Sequence, residues 1–126
     1  MKRFWFGAAL LATFLLLGAA LSLWTSGIHC RISNTLAQAE GLAQAGDMAG
    51  AGELSRQAQS SWQRNRCVTA ALADHTPMEE IDGLFRELSV FLAMDEPVHF
   101  AATCARLSLL LQAMGESHSI SWWNLL

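Results

Sequence analysis

Residues 4–24 read FWFGAALLATFLLLGAALSLW, and the architecture turns on what surrounds those side chains. The stretch holds no charged residue, and charge stays absent through Ile28. At about 1.5 Å per helical residue it extends roughly 31 Å, the thickness of the hydrocarbon core of a bilayer. A transmembrane helix is therefore expected over residues 4–24. Lys2 and Arg3 precede it, and Arg31 is the one basic residue among the first dozen after it. Cytoplasmic flanks carry an excess of Lys and Arg, so this asymmetry predicts a cytoplasmic N-terminus and an extracytoplasmic C-terminal domain at the cell membrane. Trp5 and Trp24 stand near the two ends of the span, where amphipathic rings favour the interface.

The competing reading is a cleaved signal peptide followed by a secreted helical domain. Gly18-Ala19-Ala20 and Thr25-Ser26-Gly27 both place small residues at candidate cleavage positions. The apolar run is longer than the roughly 7–15 residues of a signal peptide, which favours a retained signal-anchor. Lipoprotein processing at Cys30 is disfavoured because His29, rather than a small residue, precedes it. The expected division is an anchor over 1–27 and a helical domain over 28–126.

With Lys2 and Arg3 set aside, six basic residues face eleven acidic ones. That balance argues against nucleic acid, or an anionic lipid surface, as the main partner, because both are met with basic patches.

Beyond the span, apolar residues recur at helical spacing in four segments, and no strand-like alternation of useful length competes. The first is expected from Cys30 to Ala45, with Ile32, Leu36, Ala39 and Ala43 inward. The second follows the Gly46-Asp47 break, from Met48 to Leu72, with Ala51, Leu54, Ala58, Trp62 and Leu72 on one side. The third opens at Thr76-Pro77-Met78-Glu79, which puts Thr at the N-cap, Pro at the first helical position and Glu three residues after the cap. Its face is Ile81, Leu84, Phe85, Leu88, Phe91 and Leu92. After Met94-Asp95-Glu96-Pro97 the fourth is expected over Val98 to Met114, with Phe100, Cys104, Leu107, Leu111 and Met114 inward. The fold class is all-α: one transmembrane helix and then an antiparallel bundle of about four helices, made of two hairpins. The two turns lie 48 positions apart and both follow Ala, which hints at two copies of one hairpin.

Candidate chemistry is sparse. The four histidines, His29, His75, His99 and His118, match no zinc spacing, and no nucleophile elbow, phosphate loop or dinucleotide fingerprint is present. No enzyme, cofactor or metal is expected from these residues. His75 and Glu79, four apart, together with Asp82, are the candidates for a cation or polar-ligand site, against which stands simple favouring of acids at a helix start. Trp122 and Trp123, beside Asn124, Leu125 and Leu126, either fold back to complete the core or form an apolar tip for a partner or the bilayer interface. Of three cysteines, Cys104 falls on an apolar face while Cys30 and Cys67 do not, so free thiols are expected, with Cys30 or Cys67 able to cross-link a dimer. Small residues four apart, Ala8 with Ala12 and Gly18 with Ser22, offer a second route to a homodimer.

Taken together, the segments His75-Thr-Pro-Met-Glu-Glu-Ile-Asp82, Leu84-Phe85-Arg86-Glu87-Leu88, Phe100-Ala-Ala-Thr-Cys104 and Ser121-Trp-Trp-Asn-Leu-Leu126 resemble domain-of-unknown-function family 4363, small anchored proteins of clostridia-type bacteria. The resemblance covers nearly the whole chain. It implies fold and localisation, and no catalytic residue comes with it. His75, Glu79, Asp82 and Asn124 are the polar positions that match, although the broad family often lacks Thr76-Pro77 and the paired tryptophans. The expected role is a non-enzymatic interaction or scaffold module with an unidentified protein partner; a ligand or cation sensor at His75, Glu79 and Asp82 is the alternative.

Overall fold

A computed structural model describes the backbone of residues 1–72 and 75–123 and the side chains of 1–71 and 75–116. Four helices make up these residues: α1, Lys2–Gln44; α2, Met48–Leu72; α3, His75–Ala93; and α4, Pro97–Trp123. The all-α expectation holds, and no strand occurs among the described residues. The apolar stretch and the first expected helix are one continuous element rather than two. Between them Thr25, which is buried, satisfies its hydroxyl inside the helix by donating to the Leu21 carbonyl at 2.8 Å. Gly27 costs such a helix only about 1 kcal/mol.

Burial divides α1. Residues 1–17 are all exposed, Gly18 and Ser22 are half-buried, and from Thr25 onward a stripe of His29, Ile32, Ser33, Leu36, Ala39 and Ala43 is buried. Both α2 and α4 pack on this stripe, so α1 is the spine of the bundle. Every inward position expected on the first and fourth helices is buried. On α2, Ala51, Ala58 and Trp62 are buried and Leu54 is half-buried; on α3, Ile81, Leu84, Phe85 and Leu88 are buried, with Met78 added. Phe91 and Leu92 pack at the edge of the core.

The two hairpin turns share one hydrogen-bond pattern. Gly46, at φ 87°, closes α1, and the Asp47 amide reaches back to the Leu42 carbonyl at 2.9 Å. Asp95, at φ 53°, closes α3, and the Glu96 amide reaches back to the Phe91 carbonyl at 3.0 Å. These are Schellman-type ends, in which a left-handed residue lets the chain satisfy the last carbonyls. Equivalent residues are therefore 49 positions apart, Gly46 with Asp95, rather than the 48 that separate Gly46-Asp47 from Met94-Asp95 in the sequence. Gly52 is a packed position, because a Cβ there would lie 2.8 Å from the Leu92 side chain. The described part of the third helix already includes His75, so Thr76 lies within the helix rather than at its cap. Pro77 is tolerated there because first-turn amides have no intrahelical acceptor. The fourth helix continues past Met114 to Trp123.

The helices run antiparallel in a fixed register. Ser33 and Ser108 stand level on α1 and α4, their hydroxyls 2.6 Å apart, and one heptad lower a Cβ on Gly115 would lie 3.6 Å from the Ser26 hydroxyl. Carried to Trp123, this register brings the end of α4 to the level of Gly18, about 12 Å below Ser26. His29 and Trp62 mark the α1–α2 register, with ring centroids 6.0 Å apart.

Candidate functional site

Asp82 is the best-connected of the polar positions singled out in the sequence. The buried indole of Trp62 donates from Nε1 to Asp82 Oδ1 at 2.7 Å, and Arg66 donates from Nε to Oδ2 at 3.0 Å. One carboxylate thus caps a large buried ring and neutralises a half-exposed guanidinium, tying α2 to α3. Trp62 needs such a partner, because a buried indole N–H without an acceptor loses its hydration uncompensated. His75 and Glu79 lie on the same side of α3 and are exposed, so the structure does not gather the three into a pocket. Neighbouring Glu80 accepts from Arg106 of α4 at 3.1 Å. Among the described residues no group of three His, Cys, Asp or Glu side chains is placed to hold a metal ion. The side chains of Trp122 and Trp123, and Asn124 altogether, lie outside the described residues.

Among the cavities that open on the bundle, three are lined by described residues that bear on function. A groove of about 520 Å³ at the hairpin end lies between the close of α1 and the start of α4; Glu40, Ala43, Gln44, Pro97, Val98 and Ala102 line it, and Val98 is 75% exposed. At the opposite end, a cavity of about 230 Å³ is bounded by Ser26, His29, Cys30, Leu111, Gln112 and Glu116. His29 is buried in its wall. Sequence reasoning passed over His29, yet its position three before Ile32 and seven before Leu36 puts it in the core stripe. A third cavity of about 220 Å³, between α1 and α2, is bounded by Arg31 and Arg64.

All three thiols are free in this structure: Cys30 and Cys67 exposed, Cys104 buried. Burial, and secondarily the Glu40 carboxylate, pushes the Cys104 thiol up to about 12. Gly18 and Ser22, one of the small-residue pairs expected for dimerisation, are half-buried within the monomer, whereas Ala8 and Ala12 are exposed. By length and composition, α1 is the one described helix apolar enough to cross a membrane, and its most apolar window is wholly unburied.

Comparison with known proteins gives one match: the family model for a domain of unknown function, DUF4363, covers residues 27–125. No curated protein and no solved structure matches.

Proposed function

Because the chain belongs to the DUF4363 family, whose description carries no activity, we propose a function from its architecture: a non-enzymatic, membrane-anchored module that presents a helical bundle to a protein partner in the cell envelope. The continuity of α1 carries this reading. Its exposed apolar half suits lipid, and the same unbroken helix then becomes the spine of the bundle. A flexible tether would let the domain wander, whereas a single helix holds it at one height and orientation. Lys2 and Arg3 support a cytoplasmic N-terminus and an extracytoplasmic bundle.

The groove at the hairpin end is the surface we assign to the partner, an apolar segment of another envelope protein. It lies farthest from the bilayer, its walls are mostly small side chains, and Met94 and Val98 beside it are exposed. A photo-cross-linking residue at Val98, and a control at exposed Gln63 on α2, test this in intact cells. The expected result is one recurrent adduct from position 98, absent from position 63 and lost when Ala102→Trp fills the groove. No adduct at position 98, or the same adducts at both positions, would contradict the assignment.

A further inference from the structure

Residues 4–17 of α1 are apolar or uncharged and all exposed. At about 1.5 Å each they rise roughly 21 Å, some 9 Å less than a hydrocarbon core of about 30 Å. Gly18 to Trp24 supply the difference, and no charge interrupts them. Their burial is mixed: Gly18 and Ser22 are half-buried, while Leu21, Leu23 and Trp24 remain exposed, Leu23 to 77%. Exposed apolar side chains that continue a lipid-facing run match a surrounding of lipid rather than water. The stretch that completes the span is thus the stretch where other helices begin to pack.

The end of α4 shares that level. Ser33 stands beside Ser108 and Ser26 beside Gly115, so the register pairs Thr25 with Glu116 and Gly18 with Trp123. The pairing of His29 with Trp62 likewise puts Arg66 of α2 level with Thr25. Glu116 and Arg66 are the last charged residues of α4 and α2, because Ser117 to Trp123 and Cys67 to Leu72 contain no Asp, Glu, Lys or Arg. Charge therefore stops at one plane on two helices from distant parts of the sequence, and α1 carries none between that plane and Arg3. The acids of α3 are held at the plane or on its water side. Asp82 pairs with Arg66, and Glu80 accepts from Arg106, which the α1–α4 register sets about 14 Å above Ser26.

We propose that the bundle does not stand clear of the bilayer but is sunk into it, with Ser117 to Trp123 of α4 lying beside residues 18–24 of α1 in the leaflet from which the bundle rises. This rests on the membrane-anchored reading above. A helix enters lipid without orphaned mid-helix amides because its backbone hydrogen bonds are internal. Ile120, Trp122 and Trp123 belong to the residue types that favour acyl chains or the interface. His118 is mostly neutral at pH 7 if it titrates near the ordinary value of about 6.5.

The test reconstitutes the full-length chain into phosphatidylcholine nanodiscs that carry a trace of phosphatidylcholine bearing a diazirine in its acyl chain or, in a parallel sample, in its headgroup. After irradiation, adducts are located by peptide mass spectrometry. The acyl-chain probe is expected to label Ser117 to Trp123 with a yield within about threefold of residues 18–24, and the hairpin-end residues 93–97 at least about tenfold less. Acyl-chain adducts confined to α1, or labelling of Ser117 to Trp123 by the headgroup probe alone, would overturn the proposal. The first result would mean that α4 stays outside the leaflet, and the second that the bundle rests on its surface. Absence of acyl-chain adducts from residues 4–17 as well would instead overturn the anchor on which the proposal rests, so the two failures are distinguishable.

Discussion

In residues 2–17 of α1 every side chain is exposed and nearly all are apolar, whereas between Thr25 and Ala43 only seven are buried, at spacings of one, three and four. One helix thus carries two patterns without a break. A helix apolar all round matches a surrounding that is itself apolar, while a single apolar stripe matches a helix with water on one side and a core on the other. The contrast shows why α1 needs no loop at Thr25-Ser26-Gly27: surroundings change along the helix while backbone hydrogen bonding does not.

Core truncation should separate the two halves most sharply. Leu36→Ala, at a fully buried position, is expected to cost the bundle about 2–5 kcal/mol in urea unfolding followed by circular dichroism in detergent. Leu16→Ala, 72% exposed, should change the same midpoint by less than about 0.5 kcal/mol. Equal losses would mean that the N-terminal half packs against protein.

The polar tie at Asp82 ranks next. Asp82→Ala leaves the Trp62 indole without its acceptor and should cost about 2–3 kcal/mol in the same assay. Asp82→Asn keeps an acceptor for Trp62 while losing the charge opposite Arg66, and should cost less than half as much. If both cost the same, the ion pair rather than the indole bond dominates.

Alkaline titration gives a further contrast, between a buried thiol and two exposed ones. The Cys104 thiol is raised from an ordinary value of 9.0 to about 12 by burial. Its neutral form is the one the fold favours, so its contribution is complete below pH 9 and is lost as pH rises toward 12. A melting temperature that declines over this window, and declines less in Cys104→Ala, is expected. A maleimide should label Cys30 and Cys67 in the folded chain and Cys104 only after unfolding.

The smallest effect concerns the turns. Asp95 holds a left-handed conformation that Gly46 adopts without steric cost. Asp95→Gly should raise stability by about 0.5–1 kcal/mol, and Gly46→Ala should lower it by a similar amount.

Much of this fold was legible because helical phase is local. Ile32, Leu36, Ala39 and Ala43 on α1, and Phe100 through Met114 on α4, follow from spacing alone. What spacing could not reveal were contacts across the chain. Asp82 reads as a surface acid at a helix start until Trp62 and Arg66 are seen beside it. Arg31 and Arg64 read as scattered charges until the α1–α2 register places them on one cavity. That the third helix already includes His75 also escaped, because Thr76-Pro77 carries a strong local start signal that the longer helix overrides.

The most direct test of the central claim, that α1 is retained in the membrane and carries the bundle on its far half, is intact-mass analysis of the expressed protein after carbonate-washed membrane fractionation. The account predicts the full 13.7 kDa chain in the washed membrane pellet, with its bundle accessible to protease only from outside. A shortened, soluble product starting near Leu21 or Ile28 would contradict it.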